Sequence, residues 1–476
     1  MESKNTATIA YSPATPHIYS PNKTLMAITC GCALILFLCS ALRHVLFQSS
    51  AFDLGIFDQA VYLISQGKTP ISSFMGFHIL GDHAALIFYP LALLYKIYPS
   101  VYWLFAVQAI TLASGAVPTW YIARHAGLKA EQAIAIAAVY LLYPLVFNIN
   151  LFDFHPEAIA LPILLVAILT AHLGQISWFC LSIVIILACK AVLSLTVAAM
   201  GVWLLIFEKK RWCGALAIFA GISWFLISSQ VIIPLFSGKE AAAVGRYSYL
   251  GNSVKEIAQN LLLNPGLVFG KILSLANLEY LFLLLIPIAW GLSLASIKPL
   301  IGAIPCVALN IITDYQPQKD LVHHYSIPAL PFLLLAVISS LAVGKGWLQN
   351  KRAIILWSLV TFLLLAKFTH FGGKYWQYAD TWQATNRAIS QVQTQGGVLT
   401  TAEIAPHLSH RQLIKFTNAN SPPTNLNEFD YFLVNLRHPG WSSNPEFAAS
   451  LVKRLQQKQE LSLKYQQDDV YLFSRK

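Results

Sequence analysis

Apolar residues run in long stretches from about residue 24 to residue 370, and beyond that point the pattern changes character. Crossing a bilayer core takes about 20 residues of helix. The stretches 24–47, 101–123, 131–147, 157–173, 176–190, 191–207, 212–234, 276–295, 298–312, 325–343 and 352–370 are read as spans on that basis. The stretch 84–99 is apolar but short, and reads as a re-entrant or surface-lying helix. After residue 370 the apolar runs shorten and alternate with polar residues. They predict helices near 380–394, 402–409 and 444–458, strands at 397–401, 412–417 and 431–435, and a closing hairpin from Leu461–Tyr465 to Val470–Ser474 that turns at Asp468-Asp469. The predicted fold class is mainly α: a polytopic helical membrane protein of about eleven spans with a small C-terminal α/β domain outside the membrane. The chain divides into a polar tail at 1–23, a membrane domain at 24–370 and an extracytoplasmic domain at 371–476.

Composition supports the membrane reading. Of 476 residues, 56% are hydrophobic and only 11% are charged, against roughly 25% charged in ordinary soluble domains. The formal charge of +11 would suggest nucleic acid in a soluble protein. Here the basic residues sit in short clusters between apolar runs, as cytoplasmic loops do, so no nucleic-acid partner is expected. With the N-terminus inside, the tail carrying Lys4 and Lys23, the Arg124–Lys129 turn, Glu208–Arg211, Lys298 and the Lys345–Arg352 segment all fall on the cytoplasmic side, and the C-terminal domain falls outside. The run after Lys23 is too long for a signal-peptide core and reads as an uncleaved first span. Seven scattered cysteines without a CxxC pair argue against a disulfide framework or a zinc site.

Ionisable residues gather on the opposite side, in segments far apart along the chain. Such groups at a membrane edge are costly and tend to mark function. Phe52-Asp53-Leu54-Gly55-Ile56-Phe57-Asp58 follows the first span. Asp53 either caps the helix that begins there or serves as a general base whose acidity is weakened by an apolar setting. Five helical residues separate Asp53 from Asp58 by about 140°, so Asp58 either shares the chemistry, binds substrate or orders the loop. Gly81-Asp82-His83 precedes the short apolar helix and offers a cap or a phosphate- or metal-binding pair. Asp153-Phe154-His155-Pro156-Glu157 joins two spans with more charge than a connector needs, and its Asp153, His155 and Glu157 are candidates for a divalent metal site or for sugar hydroxyls. Lys190 interrupts two apolar runs, and either snorkels or offers a compact positive charge to a phosphate. Arg246 lies in the long outer segment 235–275, and His323-His324 enter a span where a lipid phosphate could pair with them.

The blocks FDLGIFDQA, LGDH, LFDFHPE, the Cys189-Lys190 break, HHYSIPALPF and the outer segment Thr401–Arg411 resemble a widespread family of uncharacterised bacterial membrane proteins. That family often carries acidic residues after the Cys-Lys pair, where this chain has Ala191-Val192. More distantly the plan is similar to the GT-C glycosyltransferases. That resemblance implies a polyprenyl-phosphate-linked sugar donor, an extracytoplasmic acceptor, inverting chemistry, a bacterial cytoplasmic-membrane location and a catalytic aspartate in the first outer loop, which corresponds to Asp53. Lys190, Arg246 or His324, or a divalent ion on Asp153, His155 and Glu157, would then stabilise the leaving phosphate. A transporter or flippase would instead place ionisable groups near the bilayer midplane and show paired broken helices. A non-catalytic assembly protein would use the outer domain to hold a partner.

Overall fold

The computed structural model describes residues 20, 22–423 and 425–476. Most of the 1–23 tail lies outside the described residues. By contact density the chain forms two compact units. One is the chain up to Phe37 with Leu80–Ile87 and Ala106–Lys367; the other is Leu38–Ile79, Phe88–Phe105 and Phe368–Lys476. A unit boundary therefore falls near residue 370, where the composition changes, and the second unit also takes in segments from the N-terminal part.

The first unit is helical. Across the described chain, Lys23–Val45, Arg211–Ser237 and His324–Ala342 are each long and apolar enough to cross a membrane. The bent pairs Ala130–Leu141 with Pro144–Asn150 and Gly266–Ile272 with Leu275–Gly291 raise the number to at most five, against the eleven stretches read as spans. Several of the others form shorter apolar helices, among them Glu157–Leu173, Ile176–Cys189, Leu193–Ile206 and Lys298–Ile312. The stretch at 101–123 divides into Tyr102–Ser114 and Ala116–His125. The cause lies at Gly115, where a side chain would collide with Tyr140, whose hydroxyl donates to the Leu112 carbonyl at 2.6 Å. Apolar side chains such as Trp212 and Phe219 stand 80% and 75% exposed, which suits a hydrocarbon surrounding and not water.

Helices Leu193–Ile206 and Arg211–Ile227 pack backbone against backbone. A Cβ on Gly201 would lie 2.7 Å from Gly214 O and Ile218 N, and one on Gly221 would lie 2.5 Å from Ser194 O. Small residues permit this approach where no water drives association. The approach also fixes the hairpin that carries the Cys189-Lys190 corner at its far end.

The second unit holds two sheets. A short hairpin pairs β1 (Ile71–Ser72) with β2 (Phe77–His78). The main sheet has the order β4-β3-β5-β7-β6, with β3 Val398–Thr400, β4 Ile414–Phe416, β5 Tyr431–Asn435, β6 Leu461–Gln467 and β7 Val470–Arg475. Strands β3, β4 and β5 run parallel, while β7 is antiparallel to β5 and to β6. Side chains alternate across the sheet. Val398, Leu433 and Leu472 face one core with helix Trp382–Ser390. Leu399, Phe432, Val434 and Phe473 face another with helix Pro445–Gln456. The elements expected after residue 380 are present, although 402–409 tightens to a single 3₁₀ turn at Ala405–Leu408. Asp468 and Asp469 both adopt positive φ, 49° and 61°, as a two-residue hairpin turn requires.

The helix contact yields a test. Gly201→Ala is expected to lower the stability of the detergent-solubilised protein by about 1–3 kcal/mol through overpacking. Gly31→Ala, where a Cβ would meet nothing within 4 Å, is expected to leave it unchanged or slightly higher. Equal thermal midpoints for the two variants would refute the close approach.

Candidate functional site

The first unit brings together Lys190, Glu157, His324 and His155. Helix Ile176–Cys189 ends where Lys190 swings into extended backbone, φ −164° and ψ 139°. Lys190 is buried and does not snorkel. Its Nζ donates to Glu157 Oε1 at 2.5 Å and lies 3.3 Å from His324 Nε2. Glu157 opens helix Glu157–Leu173, where the helix dipole favours an acid. His324 Nε2 is also 3.4 Å from Glu157 Oε1, and its ring stacks on His155 with centroids 4.1 Å apart. A lysine ammonium has only donors, so Nε2 accepts from it, and this assigns the His324 proton to Nδ1. Among the described residues, His324 Nδ1 and Glu157 Oε2 are buried without a hydrogen-bond partner. Buried polar atoms of this kind can be met by an ordered water or by a polar ligand.

The surrounding chain holds this group in place. Gln108 Nε2 donates to Asp153 O at 2.7 Å, and Gln108 Oε1 accepts from His155 N at 2.8 Å. That clamp holds Asp153 in its left-handed backbone, φ 61°. Across the corner, Ala191 N donates to His83 O, and Ile87 N donates to Ala188 O, both at 2.9 Å. Asp82 and His83 pair at 3.3 Å. Arg246 stacks over Tyr315 and Tyr325 at 4.5 and 4.9 Å and donates to Gln318 Oε1 at 3.3 Å. His323 pairs with Asp320 at 2.8 Å, and Phe152 packs against His323, centroids 4.5 Å apart.

Electrostatics divides these residues. Burial, reinforced by the charges of Lys190 and Arg246, pulls His83 down to about 3. Burial and Lys190 also hold His155 well below the usual histidine range. Both are neutral at pH 7, which leaves Lys190 and Arg246 as the fixed cations. Burial pushes Asp82 up to about 6, with Lys190 opposing the shift. Lys190 and Arg246 beside neutral imidazoles suit a phosphate group, with Glu157 holding Lys190 in place.

The metal expectation fares differently. Among the described residues no group of three His, Cys, Asp or Glu side chains is placed to hold a metal ion, and Asp153, His155 and Glu157 do not form one. Glu157 is turned to Lys190 and His324 instead.

Asp53 and Asp58 belong to the second unit. Asp53 lies half-buried in the π-helical turn Ala51–Gly55, which is capped by Ser50 and not by Asp53. Asp58 is buried, and its oxygens accept from Tyr95 at 2.5 Å, from Ser409, and from His410 at 3.1 Å. Burial alone would lower His410, but the adjoining Asp58 charge outweighs it and raises the imidazole above its ordinary value. Three side chains thus engage the Asp58 carboxylate, which favours the loop-ordering role among those expected for it. Sequence reasoning missed Gln108, a lone amide in an apolar run, and the Ser409-His410 pair within the Thr401–Arg411 segment.

The family model for DUF2079, described as a predicted membrane protein, matches residues 43–472. The chain belongs to the DUF2079 family. No curated protein matches it. Among solved structures, this DUF2079 member is similar to ArnT from Cupriavidus metallidurans in the apo state, with a TM-score of 0.58 at 10% identity. It is also similar to the same protein bound to undecaprenyl phosphate, with a TM-score of 0.56 at 9% identity. Each match covers 95% of this chain and 98% of ArnT. At this identity the likeness is one of fold.

The buried pair predicts a specific coupling. Lys190→Met and Glu157→Leu are each expected to lower unfolding free energy by about 3–5 kcal/mol, because each strands a buried charge. The double variant is expected to lose clearly less than the sum of the two. Additive losses in detergent unfolding would show that the two side chains do not depend on each other.

Proposed function

We propose that this DUF2079 member is a membrane glycosyltransferase of the GT-C type, transferring a sugar from a polyprenyl-phosphate donor to a hydroxyl of an extracytoplasmic acceptor. The observation that carries the reading is Lys190, fixed between Glu157 and His324 with two buried polar atoms left over. It sits in a fold like that of ArnT, a protein seen with undecaprenyl phosphate bound. Outside the cytoplasm no nucleotide sugar is expected, so a lipid phosphate is the natural donor. The enzyme would lie in the bacterial cytoplasmic membrane with its N-terminus inside and its C-terminal region outside.

In this scheme Lys190 and Arg246 bind the donor phosphate, and His324 Nδ1–H donates to one of its oxygens. Asp82, His83 and His323 complete the polar wall, and the clamped Asp153–His155 loop meets the sugar hydroxyls. Glu157 holds Lys190 at the position where charge grows as the bond from phosphate oxygen to the anomeric carbon breaks. The acceptor oxygen forms the new bond to that carbon from the opposite side, and its proton passes to a carboxylate base, the role proposed for Asp53 from its place just after the first apolar helix. The products are an inverted glycoside and a polyprenyl phosphate.

The direct assay uses purified protein and a radiolabelled polyprenyl-phosphate sugar. Asp53→Asn is expected to cut transfer by at least about 10²-fold while leaving donor binding intact. Unchanged transfer in that variant would remove Asp53 as the base. Uptake of substrate into proteoliposomes without transfer would replace the enzyme by a transporter.

A further inference from the structure

The second unit carries an exposed group of aromatic rings beside Asp53 that the scheme above does not use. Phe52, Phe416 and Trp441 form a triangle, with centroids 5.4 Å from Phe52 to Phe416, 5.9 Å from Phe52 to Trp441 and 5.8 Å from Phe416 to Trp441. Phe74 supports it at 6.2 Å from Phe416. Phe52 is 46% exposed and Trp441 60% exposed. Large apolar faces kept in the open usually mark a binding surface.

Three distant segments supply these rings, and one short stretch fixes them all. Thr417 N, next to Phe416, donates to Thr400 O at 2.8 Å. Ala51 N, next to Phe52, donates to Ala402 O at 3.0 Å. Trp441 N donates to Glu403 Oε1 at 3.1 Å. The chain reaches Trp441 through Gly440 at φ 93°, where a side chain would come within 2.8 Å of Glu403 Oε2. Burial, partly offset by the Trp441 N–H, pushes the Glu403 carboxyl above its ordinary range. Its Oε2 is buried without a well-aligned hydrogen-bond partner among the described residues. Polar groups border the rings: Ser442 Oγ donates to Thr417 O at 2.7 Å, and Ala419 N donates to Ser442 O at 2.9 Å. The platform is thus held rigid before any ligand arrives, which lowers the cost of binding.

We propose that the Phe52–Phe416–Trp441 platform is a saccharide subsite that receives a sugar ring of the acceptor. A pyranose has one face of C–H groups, which lies on an aromatic ring, and a rim of hydroxyls, which meets polar neighbours. The rings are few, packed on one another and bordered by polar groups, which suits one or two sugar units better than a lipid surface. Phe52 immediately precedes Asp53, so a ring stacked here brings its hydroxyls to the neighbourhood of the proposed base. That the saccharide is the acceptor rests on the glycosyltransferase reading; that it is a saccharide rests on the platform.

The test is saturation-transfer NMR on the full chain in detergent, with chitotriose and cellotriose as probes. Saturation of sugar ring protons is expected for wild type and for Asp53→Asn. Trp441→Ala is expected to weaken binding roughly five- to tenfold, with Trp441→Tyr recovering part of the loss. Absence of transfer to both trisaccharides in wild type, or equal binding in Trp441→Ala, overturns the proposal. So does quenching of Trp441 emission by brominated lipid in nanodiscs, which would make the rings a membrane anchor. Saccharide binding without any sugar transfer would overturn the enzyme reading alone. Sugar transfer at the wild-type level in Trp441→Ala would overturn the platform alone.

Discussion

A lysine ammonium and a glutamate carboxylate 2.5 Å apart, both nearly out of reach of solvent, constrain the first unit more than any other contact described here. Bringing two charges into an apolar helical body is costly, and their attraction offsets that cost only if the geometry is kept. The rest of the region follows from keeping it. The helix must end at Cys189 so that Lys190 can turn inward. Glu157 must open its helix at the point Lys190 reaches. Gln108 must clamp the preceding loop, and the close glycine contact between Leu193–Ile206 and Arg211–Ile227 must hold the corner still. The buried polar atoms beside the ion pair leave hydrogen-bonding capacity for a polar ligand, as the proposed reading requires.

The second unit answers to a different constraint. The stretch Thr400–Glu403 lies at the end of a central parallel strand and donates order outward, to Phe416, to the Ala51–Gly55 turn and to Trp441. A second tie runs through Asp58, whose carboxylate gathers Tyr95, Ser409 and His410 into one buried network. Between them these ties explain why a loop following the first apolar helix and a segment some 350 residues later fold as one body. Asp53 stands in the turn held by this stretch, a turn capped by Ser50.

Much of this was legible in the sequence. The sheet, its hairpin turn and its last helix follow from period-two and period-3.6 patterns that tertiary contacts reinforce. The residues Glu157, Lys190, His155 and His324 stood out because charge is rare in apolar surroundings, and the structure brings these four together. Other features were not legible. A long apolar run does not reveal where a tyrosine hydroxyl will break it, as Tyr140 does at Gly115. Proximity along the chain made Asp153, His155 and Glu157 look like a metal set, but the helix that starts at Glu157 turns its carboxylate to a lysine 33 residues away. Asp53 and Asp58 looked alike in sequence, and burial separates them, Asp58 being buried and Asp53 half-buried. Gln108 carries no motif at all, and its role depends on a loop that follows it by about 45 positions.

The central claim is that Lys190 is held for a phosphate. Thermal unfolding of the purified protein with undecaprenyl phosphate, and separately with undecaprenol, measures this directly. The account predicts a clear rise in the midpoint for wild type with the phosphate, little with the alcohol, and no phosphate-specific rise in Lys190→Met. Equal stabilisation by phosphate and alcohol, or a phosphate response that survives in Lys190→Met, would contradict it.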